Sequence, residues 1–417
     1  MEYMKIDPKD FIHSPFWKCP KCSKEAFGVL SIYDHHYARR CRDCWHTVNI
    51  RLPKLNKRII YLDQLAISEM LKAGEQLSKT HEGRAVAPFW GQALQKLHRL
   101  CRLQLIACPD SHFHYDESAV SPFFKGLKNL YESFSQGVSF HDSTILQDRQ
   151  VTECARFWIR KQESPEFIFD PKDAVHGSLD AWQDIMRISM NINPKEEQIQ
   201  ELRHWRDEAS EQLKQVFTRW QSETGRNFQE WFQEESAGYG KRVIKNFLLF
   251  CENSIAMRTG LRPLDAMAFM PGGDVTTFMA VGGVLGEEGI HDKGKQIEMC
   301  MSFFTSPVLA KIPFNNISSM LYAALARKAA AGQKAPPSRG MRIDVTMVST
   351  LLPYCDAMFI DNECRGYLNE EPLRSDLKYK AAVFSINRSD DFLKYLDDIE
   401  KAASKDHLDK VTEVYGI

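Results

Sequence analysis

Four acids stand at comparable places beside apolar stretches of this chain. Asp63 closes IIYLD, Glu117 lies in DSHFHYDES just after LQLIACP, Asp344 opens IDVTMVSTLL, and Asp361 closes AMFID. A carboxylate at the end of a buried strand has to be solvated, paired or bound to a cation. Capping is enough for Asp63 alone, since Asp is a favoured first residue before a helix. Taken together, the four acids point further. Carboxylates gathered without a counter-charge repel one another until some take up protons, and a divalent cation removes that cost. Oxygen-only donors suit Mg²⁺ or Mn²⁺, ions that keep several waters and leave room for a phosphate. Around Glu117 other readings stay open: Asp110 or Asp116 can take its place, and His112 and His114 with a carboxylate would start a zinc hydrolase site that no motif completes. Asp356, before AMFI, falls at the opposite end from Asp361 if that strand is straight, where it would cap a turn.

A second group is more specific. In CPKCSKEAFGVLSIYDHHYARRCRDC, Cys19 and Cys22 form one CxxC pair and Cys41 and Cys44 another. Each pair can aim two thiolates at one ion, and four thiolates make the closed tetrahedral shell of structural zinc. FGVLSIY reads as a strand between the pairs, so the piece resembles a zinc ribbon. His13, His35, His36 and His46 are substitute ligands that four cysteines leave at the surface. The basic flank, HHYARRCRDC and then RLPKLNKR, suits a phosphate backbone or an acidic partner and equally a solvated face, and RLPKLNK, with one Pro and several cations, reads as a linker.

The elements that must position these residues read as alternating strands and helices. IIYL is a buried strand followed by helical spacing at Leu65, Ile67, Met70 and Leu71. APFWGQALQKLHRLCRL is a helix, LQLIACP a second strand, AMFI a late one, and VFSINRSDDFLKYLDDIEK a last strand and helix. From about 120 to 310 the pattern is helical. Ile199, Leu202, Trp205, Ala209, Leu213, Val216 and Trp220 mark one amphipathic face, and the aromatics of NFQEWFQEE read as core rather than as a stacking surface. MPGGDVTTFMAVGGVLGEEGIHDKG is glycine-rich without the order of a phosphate-binding loop. ARKAAAGQKAPPSRGMR reads as a basic loop beside the acids. The apolar fraction of 43% with 26% charged is that of a globular chain. A net charge of −1 removes any global argument for nucleic-acid binding. The 11 cysteines, with no secretory leader and no membrane-length apolar run, place the chain in a reducing cytoplasm.

The order of these pieces resembles the PIN-like nucleases, the PilT N-terminal domain family. The resemblance rests on IIYLDQLAISEM, HYDES and IDVTMVSTLLPYCDAMFIDN, and covers about 56–120 and 315–400. It implies an α/β fold with a PIN-like parallel sheet flanked by helices, a zinc ribbon over 1–55, and a nuclease domain over 56–417 interrupted by a helical insertion at about 121–312. It also implies a Mg²⁺- or Mn²⁺-dependent phosphodiesterase with Asp63, Glu117, Asp344 and Asp361 as metal ligands. Asp356 corresponds to an extra acid in a subgroup with an LPYCD-type sequence. Lys334, Arg339, Arg342 and Arg365 would then bind the nucleic acid, RNA favoured over DNA, with self-association through the helical insertion. By analogy such an enzyme suits a bacterial toxin or antiviral defence effector. The alternative is a non-catalytic nucleic-acid-binding or scaffolding protein on a decayed PIN-like fold, whose acids would not converge.

Overall fold

The computed structural model describes residues 7–77, 88–162, 166–186, 193–262 and 270–417. Its first unit is an antiparallel sheet in the order β1 (His13–Lys18), β2 (Glu25–Tyr33), β3 (His36–Cys41) and β4 (Thr47–Arg51). The two CxxC pairs sit in two turns of the same construction. In each, the first cysteine accepts a hydrogen bond at its carbonyl from the N–H four residues on, at Ser23 (2.9 Å) and Trp45 (3.1 Å). Ser23 and Trp45 both take a positive φ, 61° and 60°. That left-handed residue is what turns the backbone back on itself so that both sulfurs of a pair face inwards.

The second unit is a parallel sheet in the order β10 (Ala382–Phe384), β9 (Ala357–Phe359), β5 (Arg58–Leu62) and β6 (Ile106–Ala107). Alternation splits its side chains between two cores. Ile59, Tyr61 and Met358 join one cluster, and Ile60, Leu62, Ala357 and Phe359 the other. The second cluster is covered by α1 (Gln64–Leu77), α2 (Pro88–Arg102), α4 (Phe124–Ser135) and α14 (Ser389–Lys401). Against the first pack α6 (Glu196–Ser222), α10 (Pro313–Ala330) and α11 (Met341–Leu351). Between these lie α3 (His112–Ala119), β7 (Ser139–Phe140), α5 (Ser143–Ile159), β8 (Val175–His176), α7 (Phe228–Arg258), α8 (Gly273–Glu287) and α9 (Lys293–Phe304). After β9 come α12 (Asn362–Leu368) and α13 (Leu373–Asp376), and α15 (Lys405–Tyr415) ends the chain.

Three local expectations change. Helix α4 shares the core of the sheet, and β7 is bridged to Asp110 at the exit of β6, so the sheet's own structure runs past 121. α10 continues through Ala330, which puts Arg327 and Lys328 of the expected basic loop on a helix, where Glu370 pairs with both. The RLPKLNK stretch is clamped rather than free: Leu52 and Leu55 are buried, and the Trp182 indole N–H donates to the Pro53 carbonyl at 2.8 Å. In NFQEWFQEE, Trp231 is fully buried edge-on to Trp220, which is the core role expected of it.

The ribbon is tied to the last helix by a residue counted in its basic flank. Arg39 is fully buried. Its guanidinium donates to the Pro15 and Phe27 carbonyls, both at 2.9 Å, and to the Glu413 carbonyl of α15 at 2.7 Å, and it lies 3.2 Å from the centre of the Trp17 ring. Replacing it leaves three carbonyls without their donor, that of Phe27 buried and those of Pro15 and Glu413 half-buried, and hydrogen bonds to a charged group are among the stronger ones. Arg39→Leu should therefore cost on the order of 3 kcal/mol. Denaturant titration measures the loss, and proteolysis between the ribbon and the body should become faster. An unchanged midpoint would refute this tie.

Candidate functional site

Asp63 follows directly on β5 and opens α1. Its N–H donates to the Phe359 carbonyl at 3.0 Å, and its Oδ1 accepts from the Ala66 N–H at 2.9 Å. Asp361 is placed in the same way after β9: it caps α12, and its Oδ1 accepts from the Cys364 N–H at 2.8 Å. Because β5 and β9 are adjacent and parallel, the two acids leave the sheet side by side. Asp344 comes from the first turn of α11. Glu117 comes from within α3, a helix rather than the expected strand exit. All four line one cavity of about 170 Å³, together with Tyr61, Gln64 and His114.

Glu117 owes its place to His114. The Ser111 N–H donates to His114 Nδ1 at 3.1 Å, so the ring proton sits on Nε2, which donates to the Leu62 carbonyl at 2.6 Å. Burial pushes this imidazole's pKa down, keeping it neutral. The ring thus ties α3 to the last carbonyl of β5 and is spent as a prop, which removes it from any zinc-ligand role. His112 faces elsewhere, towards Ser143 and Asp142. Of the alternatives to Glu117, Asp110 is held by the Ser139 hydroxyl at 2.6 Å, and neither Asp110 nor Asp116 lines the cavity.

Asp356 is not brought to the site. Its Oδ2 accepts from the Ile59 N–H at 2.8 Å and its Oδ1 from Lys380 Nζ at 3.1 Å, at the entrance of β9. The strand separates it from Asp361, so its work is to staple the start of β9 to β5 and to pair a lysine. None of the basic candidates lines the cavity itself. Arg342 donates to Gln212 at 2.7 Å, Arg339 pairs with Asp207, Arg365 donates to the Val383 carbonyl at 3.1 Å, and Lys334 is exposed. Sequence reasoning missed Tyr61 and Gln64 as lining residues, named His114 for a zinc-ligand role it does not have, and missed Arg206 of α6, whose charge draws the pKa of Glu117 and Asp116 downwards against the larger effect of burial. No spacing rule links a residue of the helical insertion to the acids.

Burial is the largest influence on three of the four acids, Asp63, Asp344 and Glu117, and raises the pKa of each. It pushes Asp63 up to about 8, with the charges of Asp361 and Glu117 acting the same way and the Ala66 N–H opposing. It also pushes Asp344 up to about 8, helped by Asp361, Glu117, Asp63 and Glu363. Among the described residues no Lys or Arg lines the cavity and none of the four acids forms an ion pair. Gln64 Oε1, also at the cavity, is buried without a hydrogen-bond partner. This donor set, four carboxylates and an orphaned amide oxygen, suits a hard divalent cation. The acids line a space rather than close on a point: among the described residues the four cysteines are the one group of three or more metal-type donors within 4.8 Å of one another. A cavity of this size holds an ion with its waters, each occupying about 30 Å³.

The cysteines close much more tightly. Cys19 and Cys44 have their sulfurs 3.6 Å apart, as do Cys22 and Cys41. Sulfurs about 2.3 Å from a central zinc in a tetrahedron would be about 3.8 Å from one another, so the group can hold zinc as it stands. Comparison with family models, with curated proteins and with solved structures returned no match.

Two outcomes follow for the metal chemistry. The purified chain should carry zinc by elemental analysis, and Cys41→Ser should lose it; zinc retained at full occupancy would remove the cysteines from that role. For the acids, a native pKa raised to about 8 keeps a proton on the folded chain that the unfolded chain releases near 4. The folded state then binds more protons between those values, so the stability is whole below the lower one and is lost as pH rises through the higher. Without added Mg²⁺ or Mn²⁺, Tm should fall from about pH 5 to about pH 8. Asp63→Asn and Asp344→Asn should flatten that slope, and Mn²⁺ should raise Tm more at the upper pH. Equal slopes in wild type and both variants would exclude the acids as its source.

Proposed function

We propose that this chain is a metal-dependent nuclease of the PIN-like type, hydrolysing phosphodiester bonds in RNA or single-stranded DNA. One observation carries the reading: Asp63, Glu117, Asp344 and Asp361, from separate stretches of chain, meet in one cavity at the carboxyl edge of a parallel sheet. That edge is where open α/β folds gather their ligand-binding groups. The order of strand, acid and helix along the chain is the order that the resemblance calls for. The scaffold alternative expected acids that do not meet, and their convergence counts against it.

In this reading Mg²⁺ or Mn²⁺ held by the four carboxylates would supply an acidified water and stabilise the leaving oxygen. The chain's own part is placement. Asp63 and Asp361 are each fixed by an N–H of the helix they open, so neither has to be ordered when substrate arrives. His114 fixes the helix that carries Glu117. The acids also act as a filter, because an unscreened cluster repels a phosphate. The cysteine group is read as structural zinc that holds the ribbon together.

Cleavage of labelled single-stranded RNA and DNA should require Mg²⁺ or Mn²⁺. Asp63→Asn and Asp361→Asn should each reduce it by more than about a hundredfold, since losing even an outer partner of a metal ligand costs about 10- to 100-fold. Asp356→Asn, at the far end of β9, should cut as wild type does while melting earlier. Full metal-dependent activity in Asp63→Asn would sink the proposal.

A further inference from the structure

Helix α6 begins as an arm and ends as core. Leu213, Phe217 and Trp220 are buried, whereas Trp205, on the same apolar face nearer the start, is 56% exposed and has no aromatic partner among the described residues. It borders a hollow of about 360 Å³ with Phe113, Gln212, Arg342 and Ile343. Phe113 and Ile343 also line the acid cavity, so the two spaces share a wall. A single exposed indole is ordinary on a protein surface; this one stands out by its place on a hollow whose wall is also the wall of the acid cavity.

We infer that Trp205 is the platform for an unpaired base next to the scissile phosphate, with Arg342 at the edge of the same hollow for the backbone or the base edge. This rests on the nuclease reading and adds to it a base-binding position beside the acids. Three observations select a nucleic acid over a second copy of this chain. The hollow shares the wall of Phe113 and Ile343 with the acid cavity; Arg206, one residue from Trp205, acts electrostatically on Glu117; and the lining sets an aromatic face beside a guanidinium and an amide, Arg342 and Gln212, bonded to each other at 2.7 Å, with Glu208 as its acid, the groups that stack on bases and reach their edges. A paired base cannot leave its stack to lie on the indole, so a duplex is excluded from this contact.

The test is binding of short fluorescein-labelled RNA, as single strand and as duplex, followed by anisotropy in Ca²⁺ in place of Mg²⁺ or Mn²⁺, alongside cleavage in Mn²⁺. Trp205→Ala should weaken single-strand binding by about tenfold or more, as loss of one base–aromatic contact does. Trp205→Phe should restore most of it, and duplex affinity should stay as in wild type. Equal single-strand affinity and KM in Trp205→Ala overturn the inference, as does wild type that binds no single strand. So does an Ala variant whose one defect is loss of a dimer in sedimentation, which assigns the face to a second copy. If wild type binds single strands through Trp205 but Mn²⁺ elicits no cleavage, the nuclease reading falls and the base site stands. If cleavage is intact and Trp205→Ala changes nothing, the reverse holds.

Discussion

The parallel sheet is buried on both faces, and this constraint governs everything else. Its strand interiors are apolar but for the Tyr61 hydroxyl, which meets Ser111, so charge can enter only where a strand stops. Four strands running one way stop on one edge. The adjacency of β5 and β9 then fixes Asp63 beside Asp361 through the same ladder that holds the core, down to the Asp63 N–H on the Phe359 carbonyl. The repulsion between acids is paid out of packing: Ile60, Leu62 and Phe359 on one side, Tyr61 and Met358 on the other, hold the strand ends where unconstrained carboxylates would part.

Much of this frame was legible in the sequence because it depends on local pattern. IIYL followed by helical spacing, AMFI between two acids, and the paired CxxC turns each announce themselves within a few residues. Asp344 in the first turn of its helix and Asp361 at a strand exit were placed by the same means. What was not legible depends on contacts distant in sequence. Glu117 is expected at a strand exit and lies on a helix, because the chain after β6 makes one bridge to β7, at Asp110, and enters α3 at His112, five residues before the acid. The role of His114 needs the Leu62 carbonyl, and no spacing rule joins the two. Asp356 carried two readings, and register decided between them: it stands at the entrance of the strand whose exit is Asp361.

Charge was the least reliable guide. Arg39 belongs to a run that reads as a solvated or phosphate-binding face, yet its guanidinium is fully buried and its hydrogen bonds knit ribbon to C-terminal helix. Lys57, in the stretch read as a linker, is also buried, and burial brings its ammonium down to about 8. In both cases a planar or long cation serves as an interior strut because carbonyls or an amide meet it there. Clusters of basic residues in a sequence of nearly zero net charge thus say little until their partners are known.

The two halves of α6 live under different rules. Substitutions at Leu213, Phe217 or Trp220 are answerable to the core and will be purged for folding reasons before any effect on function is felt. The half that carries Trp205 and Arg206 has no such obligation, although it overlooks the acids. Change there is cheap to the fold and visible to whatever occupies the cavity. This stretch is therefore where related chains can diverge in preference while keeping the same sheet and the same carboxylates, and where a designer would begin.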